Sequence, residues 1–174
     1  PVINKNKKII DLKMNYDFII EKNNNINASV IIMAGGQGKR MKPFTDVLPK
    51  PLIPINNKTV IEHIMDGFNE FNIFNFYISL NYKSKILKSY LLENKNNNNI
   101  KFVTEKNELG TIGSLSLFSN KFKDSFFVIN CDTILKINYL EFYNFHKKNN
   151  FDLIFAASSK EFEISYGSIE LLKN

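Results

Sequence analysis

The chain has 174 residues, a formal net charge of +6 and a single cysteine. This length suits one main globular domain and is too short for two domains of ordinary size. One cysteine excludes an internal disulfide framework, and no apolar run approaches the roughly 20 residues that a membrane-spanning helix needs. The lysines are scattered and form no basic stripe with aromatic residues, so the charge does not indicate nucleic-acid binding. We expect a cytoplasmic protein that binds a small polyanion.

The first 28 residues do not fit the pattern of the rest of the chain. Residues 1–10 have the pattern of two short strands around a polar turn, and a second apolar group follows at Phe18, Ile19 and Ile20. We expect this segment to be either the end of another domain or an N-terminal extension.

A short apolar run at residues 29–34 ends in a glycine-rich turn. The run has the composition of a buried strand, and Gly35, Gly36 and Gly38 follow it directly. Glycines at this density let the backbone turn sharply and leave N–H groups free for anionic oxygens. The sequence therefore predicts a phosphate-binding loop, with two cations, Arg40 and Lys50, shortly after it.

The loop does not match two common phosphate-binding patterns. A Walker loop requires glycine where this chain has Met33, and serine or threonine where it has Arg40. The dinucleotide-binding pattern requires a third glycine where this chain has Met41. Both patterns are excluded.

Strands and helices alternate after this loop. A helical period begins at Val60, with Thr59 as a plausible N-cap. Further strands are predicted at 74–80, 100–104, 125–130 and 152–157, and further helices at 84–92, 111–118 and 139–147. This alternation predicts an α/β fold with a Rossmann-like, doubly wound and mostly parallel sheet. Ligands of such sheets bind beyond the carboxyl ends of the strands, where the glycine loop, Gly110 and Asp132 follow.

Two linked blocks of the sequence carry a family resemblance. Residues 33–45, followed by Leu48-Pro49-Lys50-Pro51-Leu52, resemble the signature of sugar-1-phosphate nucleotidylyltransferases. Among these enzymes, the cystathionine-β-synthase-like (CBS-like) character of the N-terminal segment favours a resemblance to the mannose-1-phosphate guanylyltransferases. The resemblance continues, in the family's order, through residues 109–113, 130–132 and 166–170.

The resemblance also implies a domain organisation. Residues 29–174 are expected to be the N-terminal part of a nucleotidyltransferase domain, truncated at the C-terminus. Residues 1–28 are similar to the tail of a cystathionine-β-synthase-type (CBS) regulatory domain, with a simple extension as the alternative. We therefore interpret the chain as a fragment.

The activity that the resemblance implies is transfer of a nucleoside monophosphate from a nucleoside triphosphate to a sugar 1-phosphate, with release of pyrophosphate. Guanylyl transfer for surface-glycan precursors is the favoured form, with Mg²⁺ as cofactor and no nucleic-acid or membrane partner; a homo-oligomer is compatible with it. Two alternatives stay open. One is cytidylyl transfer to a phosphocholine-type substrate, and the other is a non-catalytic subunit that binds nucleotide.

The resemblance further implies roles for individual residues. Arg40 would neutralise the β- and γ-phosphates, Lys50 would bridge the α-phosphate and the incoming phosphate, and Asp132 would hold Mg²⁺. Tyr166 and Gly167 would lie against the sugar. The implied nucleotide-binding residues are Ala34, Gly35, Gly36, Gln37, Gly38, Glu105, Gly110 and Thr111. A second metal-binding aspartate and a Glu-Lys-Pro sugar segment would follow after residue 174.

Overall fold

The computed structural model describes residues 2–3, 9–11, 26–94, 98–107, 109–118 and 121–157. The strands of this part of the chain are β1 (Val2–Ile3), β2 (Ile9–Asp11), β3 (Ser29–Ala34), β4 (Pro54–Ile55), β5 (Lys58–Thr59), β6 (Asn75–Leu80), β7 (Asn99–Thr104) and β8 (Phe127–Asn130). The α-helices are α1 (Phe44–Val47), α2 (Val60–Asn69), α3 (Ser84–Glu93), α4 (Gly110–Gly113) and α5 (Tyr139–Asn149). Short 3-10 helices cover Lys39–Met41, Lys50–Leu52 and Ser114–Phe118.

Four parallel strands form the main sheet, in the order β7, β6, β3, β8. Because β3 lies between β6 and β8, Ile31 pairs with Tyr77 on one side and with Val128 on the other. Val30, Ile31 and Ile32 have no solvent exposure. A parallel strand covered on both faces needs a continuous apolar run, and β3 has one. The predicted α/β class with a Rossmann-like, mostly parallel sheet is therefore confirmed.

The strand register brings the carboxyl ends of the four strands to one edge of the sheet. Ala34 pairs with Leu80, Leu80 pairs with Thr104, and Met33 pairs with Asn130. The loops that follow β3, β7 and β8 therefore all begin at this edge. Open α/β sheets bind their ligands there, so a ligand site is expected between these loops.

Helix α2 begins at a capping box. The Thr59 hydroxyl accepts a hydrogen bond from the backbone N–H of Glu62, and the Glu62 carboxylate accepts one from the backbone N–H of Thr59 at 2.7 Å. This pair satisfies two backbone donors at the helix start and confirms the predicted N-cap. From there the helix buries Ile61, Ile64 and Phe68 in the core that it shares with the sheet.

The helix predicted at residues 111–118 is partly wrong. The structure has a single α-helical turn, α4, which continues as the 3-10 helix Ser114–Phe118. Gly110 and Gly113 lie in the α-helical turn, and glycine is a weak helix former because it loses the most backbone entropy.

The strand predicted at residues 152–157 is also wrong. No residue of this segment belongs to a strand, and Leu153 and Phe155 are 65% and 76% exposed. A strand needs a hydrogen-bonded neighbour, and within the described part of the chain this segment pairs with none.

The two short strands predicted near the N-terminus are present. β1 and β2 pair antiparallel, with Val2 opposite Asp11 and Ile3 opposite Ile9. Their membership of a CBS-type domain stays a prediction. As for membranes, none of the helices within the described ranges combines the length and the apolar composition needed to cross one.

Candidate active site

The loop after β3 takes a tight path from Gly35 to Gly38. Gly38 has a left-handed backbone (φ 66°, ψ 33°), which a side chain would strain. Its carbonyl accepts hydrogen bonds from the Thr45 hydroxyl at 3.0 Å and from the backbone N–H of Met41 at 2.9 Å. These bonds fix the turn that joins the loop to the next 3-10 helix.

Replacing Gly38 with alanine is expected to lower the free energy of unfolding by about 1–2 kcal/mol, because the residue is left-handed. The added Cβ would also lie 2.9 Å from Cγ2 of Thr45 and 3.3 Å from Cβ of Lys50, so these neighbours must move. Denaturant unfolding of the full-length protein measures the loss.

Gly36 offers the matched control for this substitution. A Cβ at Gly36 meets no atom within 4 Å, so Gly36→Ala should change the free energy of unfolding by less than about 0.5 kcal/mol. Equal losses in the two variants would contradict the described loop geometry.

The second motif, Pro49-Lys50-Pro51-Leu52, packs against this loop. Pro51 and Leu52 are buried, and the 3-10 turn is closed by the backbone N–H of Leu52, which donates to the carbonyl of Pro49 at 2.9 Å. The two prolines restrict the backbone on either side of Lys50. The base of the Lys50 side chain is therefore anchored beside Gly38, while its ammonium group extends towards the end of β8.

Asp132 meets that ammonium group. Nζ of Lys50 donates to Oδ2 of Asp132 in a short ion pair, although the two residues are 82 positions apart in the sequence. The side chains are 22% and 43% exposed. A pair this exposed contributes at most about 1 kcal/mol to stability, so both groups remain able to take ligand charges as partners.

Cys131 fixes the backbone that precedes Asp132 against strand β3. Its backbone N–H donates to the carbonyl of Met33 at 3.2 Å, which extends the β3–β8 pairing by one residue. Burial of the thiol, and secondarily the nearby Asp132 carboxylate, raise the pKa of Cys131 to about 12. Burial therefore favours the neutral form of the thiol at physiological pH.

Glu105 follows β7 and lies against the start of the glycine loop. It is 7% exposed, and its backbone N–H donates to the carbonyl of Leu80 at 2.7 Å. A Cβ placed on Gly35 would lie only 2.6 Å from Oε1 of Glu105. Gly35 thus has no side chain at the place where the carboxylate approaches the loop.

These residues share one cleft of about 470 Å³ at the carboxyl edge of the sheet. Of the residues predicted from the sequence, those that line it are residues 35–38, Arg40, Lys50, Glu105, Gly110 and Asp132. Lys39 also lines the cleft, and both Lys39 and Arg40 are exposed. The cleft therefore combines backbone amides, three cations and two carboxylates.

The remaining predicted residues are Ala34, Thr111, Tyr166 and Gly167. Ala34 is the buried last residue of β3, and its N–H donates to the Ser79 hydroxyl at 3.2 Å, so that donor is already used. Thr111 lies in α4 beside Gly110. Tyr166 and Gly167 are outside the described residues.

The sequence assigned no role to two polar residues that line the cleft, Asn130 and Ser114. Asn130 belongs to the block 130–132 that carries the family resemblance, but within that block only Asp132 received a role. Ser114 was hidden inside a predicted helix, where a serine carries no recognisable signal.

Comparison with known proteins identifies the class to which this arrangement belongs. Residues 29–174 match the nucleotidyl transferase family, and the chain belongs to that family. The predicted family resemblance is confirmed.

Individual relatives are consistent with this family. A mannose-1-phosphate guanyltransferase from Yarrowia lipolytica is 36% identical over 146 residues, which cover 80% of this chain and 40% of the relative. The crystal structure of HddC from Yersinia pseudotuberculosis complexed with GMP-PN is 29% identical, with a TM-score of 0.62 over 68% of this chain and 54% of that chain. The CTP:phosphocholine cytidylyltransferase LicC from Streptococcus pneumoniae is 28% identical, with a TM-score of 0.56 over 66% of this chain and 49% of that chain. The chain thus spans 40% of the length of the curated relatives it matches.

Proposed function

We propose that the full-length protein transfers a nucleoside monophosphate from a nucleoside triphosphate to a sugar 1-phosphate and releases pyrophosphate. The observation that carries this proposal is the ion pair between Lys50 and Asp132 in the cleft that the glycine loop lines. Membership of the nucleotidyl transferase family supports the same reaction. The non-catalytic alternative is less favoured because the cleft keeps Arg40, Lys50 and Asp132.

The reaction needs charge stabilisation rather than a covalent intermediate. A phosphate oxygen of the sugar 1-phosphate attacks the α-phosphorus, and the bond from that phosphorus to the α,β-bridging oxygen breaks as pyrophosphate leaves. In this proposal Lys50 contacts the α-phosphate and the attacking phosphate, while Arg40 neutralises the β- and γ-phosphates. The N–H groups of residues 35–38 hold the triphosphate in line for attack.

Asp132 is the proposed Mg²⁺ ligand. Its carboxylate is partly exposed on the cleft wall, and Mg²⁺ is commonly held by one or two carboxylates together with phosphate oxygens and waters. Within the described ranges no group of three or more His, Cys, Asp or Glu side chains could hold a metal, so phosphates and waters would complete the coordination. When bound, Mg²⁺ supplies positive charge to the phosphate oxygens.

The cytoplasm is the proposed location of the reaction, and guanine is the proposed base of the nucleotide. A carboxylate offers only acceptors, and guanine has two adjacent donors, N1–H and N2–H₂, on one edge. Glu105 is the carboxylate on the cleft wall beside Gly35. The guanyltransferase relative and the GMP-PN complex point to the same base.

A cytidylyltransferase acting on a phosphocholine-type substrate is the second candidate. It is favoured by the similarity to the CTP:phosphocholine cytidylyltransferase, whose TM-score is 0.56. The glycine loop and Lys50 would serve that reaction equally well, so the substrates must be identified by assay.

The domain assignment is part of the proposal. Residues 29–174 would be the N-terminal part of the nucleotidyltransferase domain, since the family match begins at residue 29. Residues 1–28 would be the end of a CBS-type regulatory domain. Their antiparallel β1–β2 pair is consistent with that assignment.

The proposal is tested by pyrophosphate release from the full-length protein with Mg²⁺. Each of the four nucleoside triphosphates is paired with a panel of sugar 1-phosphates and with phosphocholine. Release is expected for GTP with a hexose 1-phosphate. Asp132→Asn should lower it by about 100-fold or more, because the neutral amide is a poorer Mg²⁺ ligand and the positive charge that the metal supplies to the phosphates is lost.

Asp124→Asn is the matched control. Asp124 is an exposed aspartate 3.7 Å from Lys147 and lies outside the residues that line the cleft, so this variant should keep full activity. Triphosphate binding without pyrophosphate release for any pair would refute catalysis and favour the regulatory subunit.

A further inference from the structure

Two residues outside the cleft, Thr45 and Tyr82, belong to the hydrogen-bonded support of the glycine loop. Neither of them lines the cleft, and both line a second cavity of about 360 Å³ beside the loop. Thr45 is 1% exposed, and its hydroxyl donates to the carbonyl of Gly38 at 3.0 Å. The loop therefore has a supported side, where Thr45 and Tyr82 lie, and a ligand side, which lines the cleft.

Tyr82 is linked to both ends of this loop. Its backbone N–H donates to the carbonyl of Gly35 at 3.5 Å, and its hydroxyl donates to the carbonyl of Thr45 at 3.3 Å. Because the Thr45 side chain bonds Gly38, a single half-buried tyrosine is connected to the first and the last glycine of the turn. The hydroxyl of Tyr82 makes the shorter of its two contacts.

The same connection between β6 and α3 holds helix α1 in place. A helix leaves its last four carbonyls without an intrahelical partner. In α1 the carbonyls of Thr45 and Asp46 accept hydrogen bonds from the Tyr82 hydroxyl and from Nζ of Lys83, respectively. Lys83 has a left-handed backbone (φ 51°), which is uncommon for a residue other than glycine. Thr45 is thus fixed relative to Tyr82 by its own carbonyl and by that of its neighbour.

The geometry of the peptide bond carries this support to the ligand side of the loop. The peptide bonds that follow Gly35 and Gly38 are trans, so each carbonyl and the next N–H point in opposite directions. Both carbonyls accept their hydrogen bonds on the supported side. The N–H groups of Gly36 and Lys39 therefore point away from that side, and both residues line the cleft.

We propose that Tyr82 is a positioning residue for the triphosphate. By bonding Gly35 and Thr45, it keeps the loop carbonyls on the supported side and the loop amides directed at phosphate oxygens. This inference rests on the proposed function, because it places a triphosphate against the loop. A carbonyl turned into the cleft would repel the same oxygens, so loss of the Tyr82 hydroxyl lowers the fraction of the protein that is competent to bind.

Titration of the full-length protein with inorganic triphosphate and Mg²⁺ tests the loop without involving a base. Tyr82→Phe removes only the hydroxyl and should weaken binding about 3- to 10-fold, the factor that one hydrogen bond contributes. Tyr77→Phe is the matched control. It removes a hydroxyl from β6 that accepts from Nζ of Lys101 at 3.3 Å, outside the residues that line the cleft, so affinity should stay within twofold.

Variants of Thr45 separate positioning from packing. Thr45→Val keeps the volume of the side chain and loses the bond to Gly38, so it should weaken triphosphate binding about 3- to 10-fold as well. Thr45→Ser keeps the hydroxyl and should retain affinity within twofold. A packing role predicts the opposite order, because serine leaves unfilled space at a buried site.

The double variant Tyr82→Phe/Thr45→Val tests whether the two residues act through one link. Its affinity should lie within twofold of that of the weaker single variant, because either substitution already breaks the path from Tyr82 to Gly38. Losses that multiply would show that the two residues act independently and would overturn the inference.

The remaining outcomes also decide the matter. Tyr82→Phe with the affinity of the wild type would refute the positioning role, as would a wild type that does not bind inorganic triphosphate. The expected losses of affinity without pyrophosphate release by the wild type would refute the proposed function and leave the role of Tyr82 intact. Pyrophosphate release by the wild type with unchanged triphosphate affinity in Tyr82→Phe would do the reverse.

Discussion

Lys50→Ala is expected to reduce kcat/KM for pyrophosphate release by about 100- to 1,000-fold, the effect of losing one preorganised charge at the reacting group. Lys50 lies between Pro49 and Pro51, which hold it beside Gly38. Its ammonium group donates a hydrogen bond to the Asp132 carboxylate. No other side chain of the 3-10 turn carries a charge that could replace it. Steady-state kinetics of the full-length protein measures this loss.

The fold should survive this substitution. Because the Lys50–Asp132 pair is partly exposed, its loss should cost at most about 1 kcal/mol of unfolding free energy. Lys85→Ala, which removes an exposed lysine on α3, is the matched control and should keep full activity. Normal turnover in Lys50→Ala would refute the role proposed for this lysine.

Phe68→Ala is expected to lower the free energy of unfolding by about 3–5 kcal/mol, the usual cost of removing a buried aromatic side chain. Phe68 is 1% exposed, and its ring centroid lies 4.0 Å from that of Tyr139, 5.3 Å from that of Phe127 and 6.2 Å from that of Phe76. It thus joins α2 to α5 and to two strands of the sheet. Denaturant unfolding of this domain within the full-length protein measures the loss.

Phe145→Ala provides the comparison for that substitution. Phe145 lies on α5, is 56% exposed and contacts the ring of Phe151 at a centroid distance of 5.7 Å. Its replacement should cost less than about 1 kcal/mol, because little apolar surface is removed from a buried position. Similar losses for the two phenylalanines would contradict the described core.

The parallel sheet and the ligand site at its carboxyl edge were predictable, because the pattern of apolar and polar residues along the chain determines them. The apolar run of β3 and the cap at Thr59 depend on neighbouring residues, so the sequence alone located both. The alternation of strands and helices then required a parallel sheet, which brings Gly35, Glu105 and Asp132 to one edge.

The features that the sequence did not reveal depend on tertiary contacts. Residues 152–157 are apolar enough for a strand but have no partner strand within the described residues. The family resemblance put Lys50 and Asp132 in one site, but their ion pair depends on packing between segments 82 residues apart. The hydrogen bond from Tyr82 to Thr45 likewise joins segments that are 37 positions apart, which residue type does not predict.

Isotope tracing of GTP tests the central claim, nucleotidyl transfer at this cleft, most directly. The full-length protein is incubated with Mg²⁺ and a hexose 1-phosphate that supports turnover, using GTP labelled at either the α- or the γ-phosphate. Transfer at the α-phosphorus predicts that the α-label enters a nucleoside-diphosphate sugar and that the γ-label leaves in pyrophosphate, with both products lost in Lys50→Ala. Recovery of the γ-label as inorganic phosphate or on the sugar, or unchanged product formation in Lys50→Ala, would contradict the account.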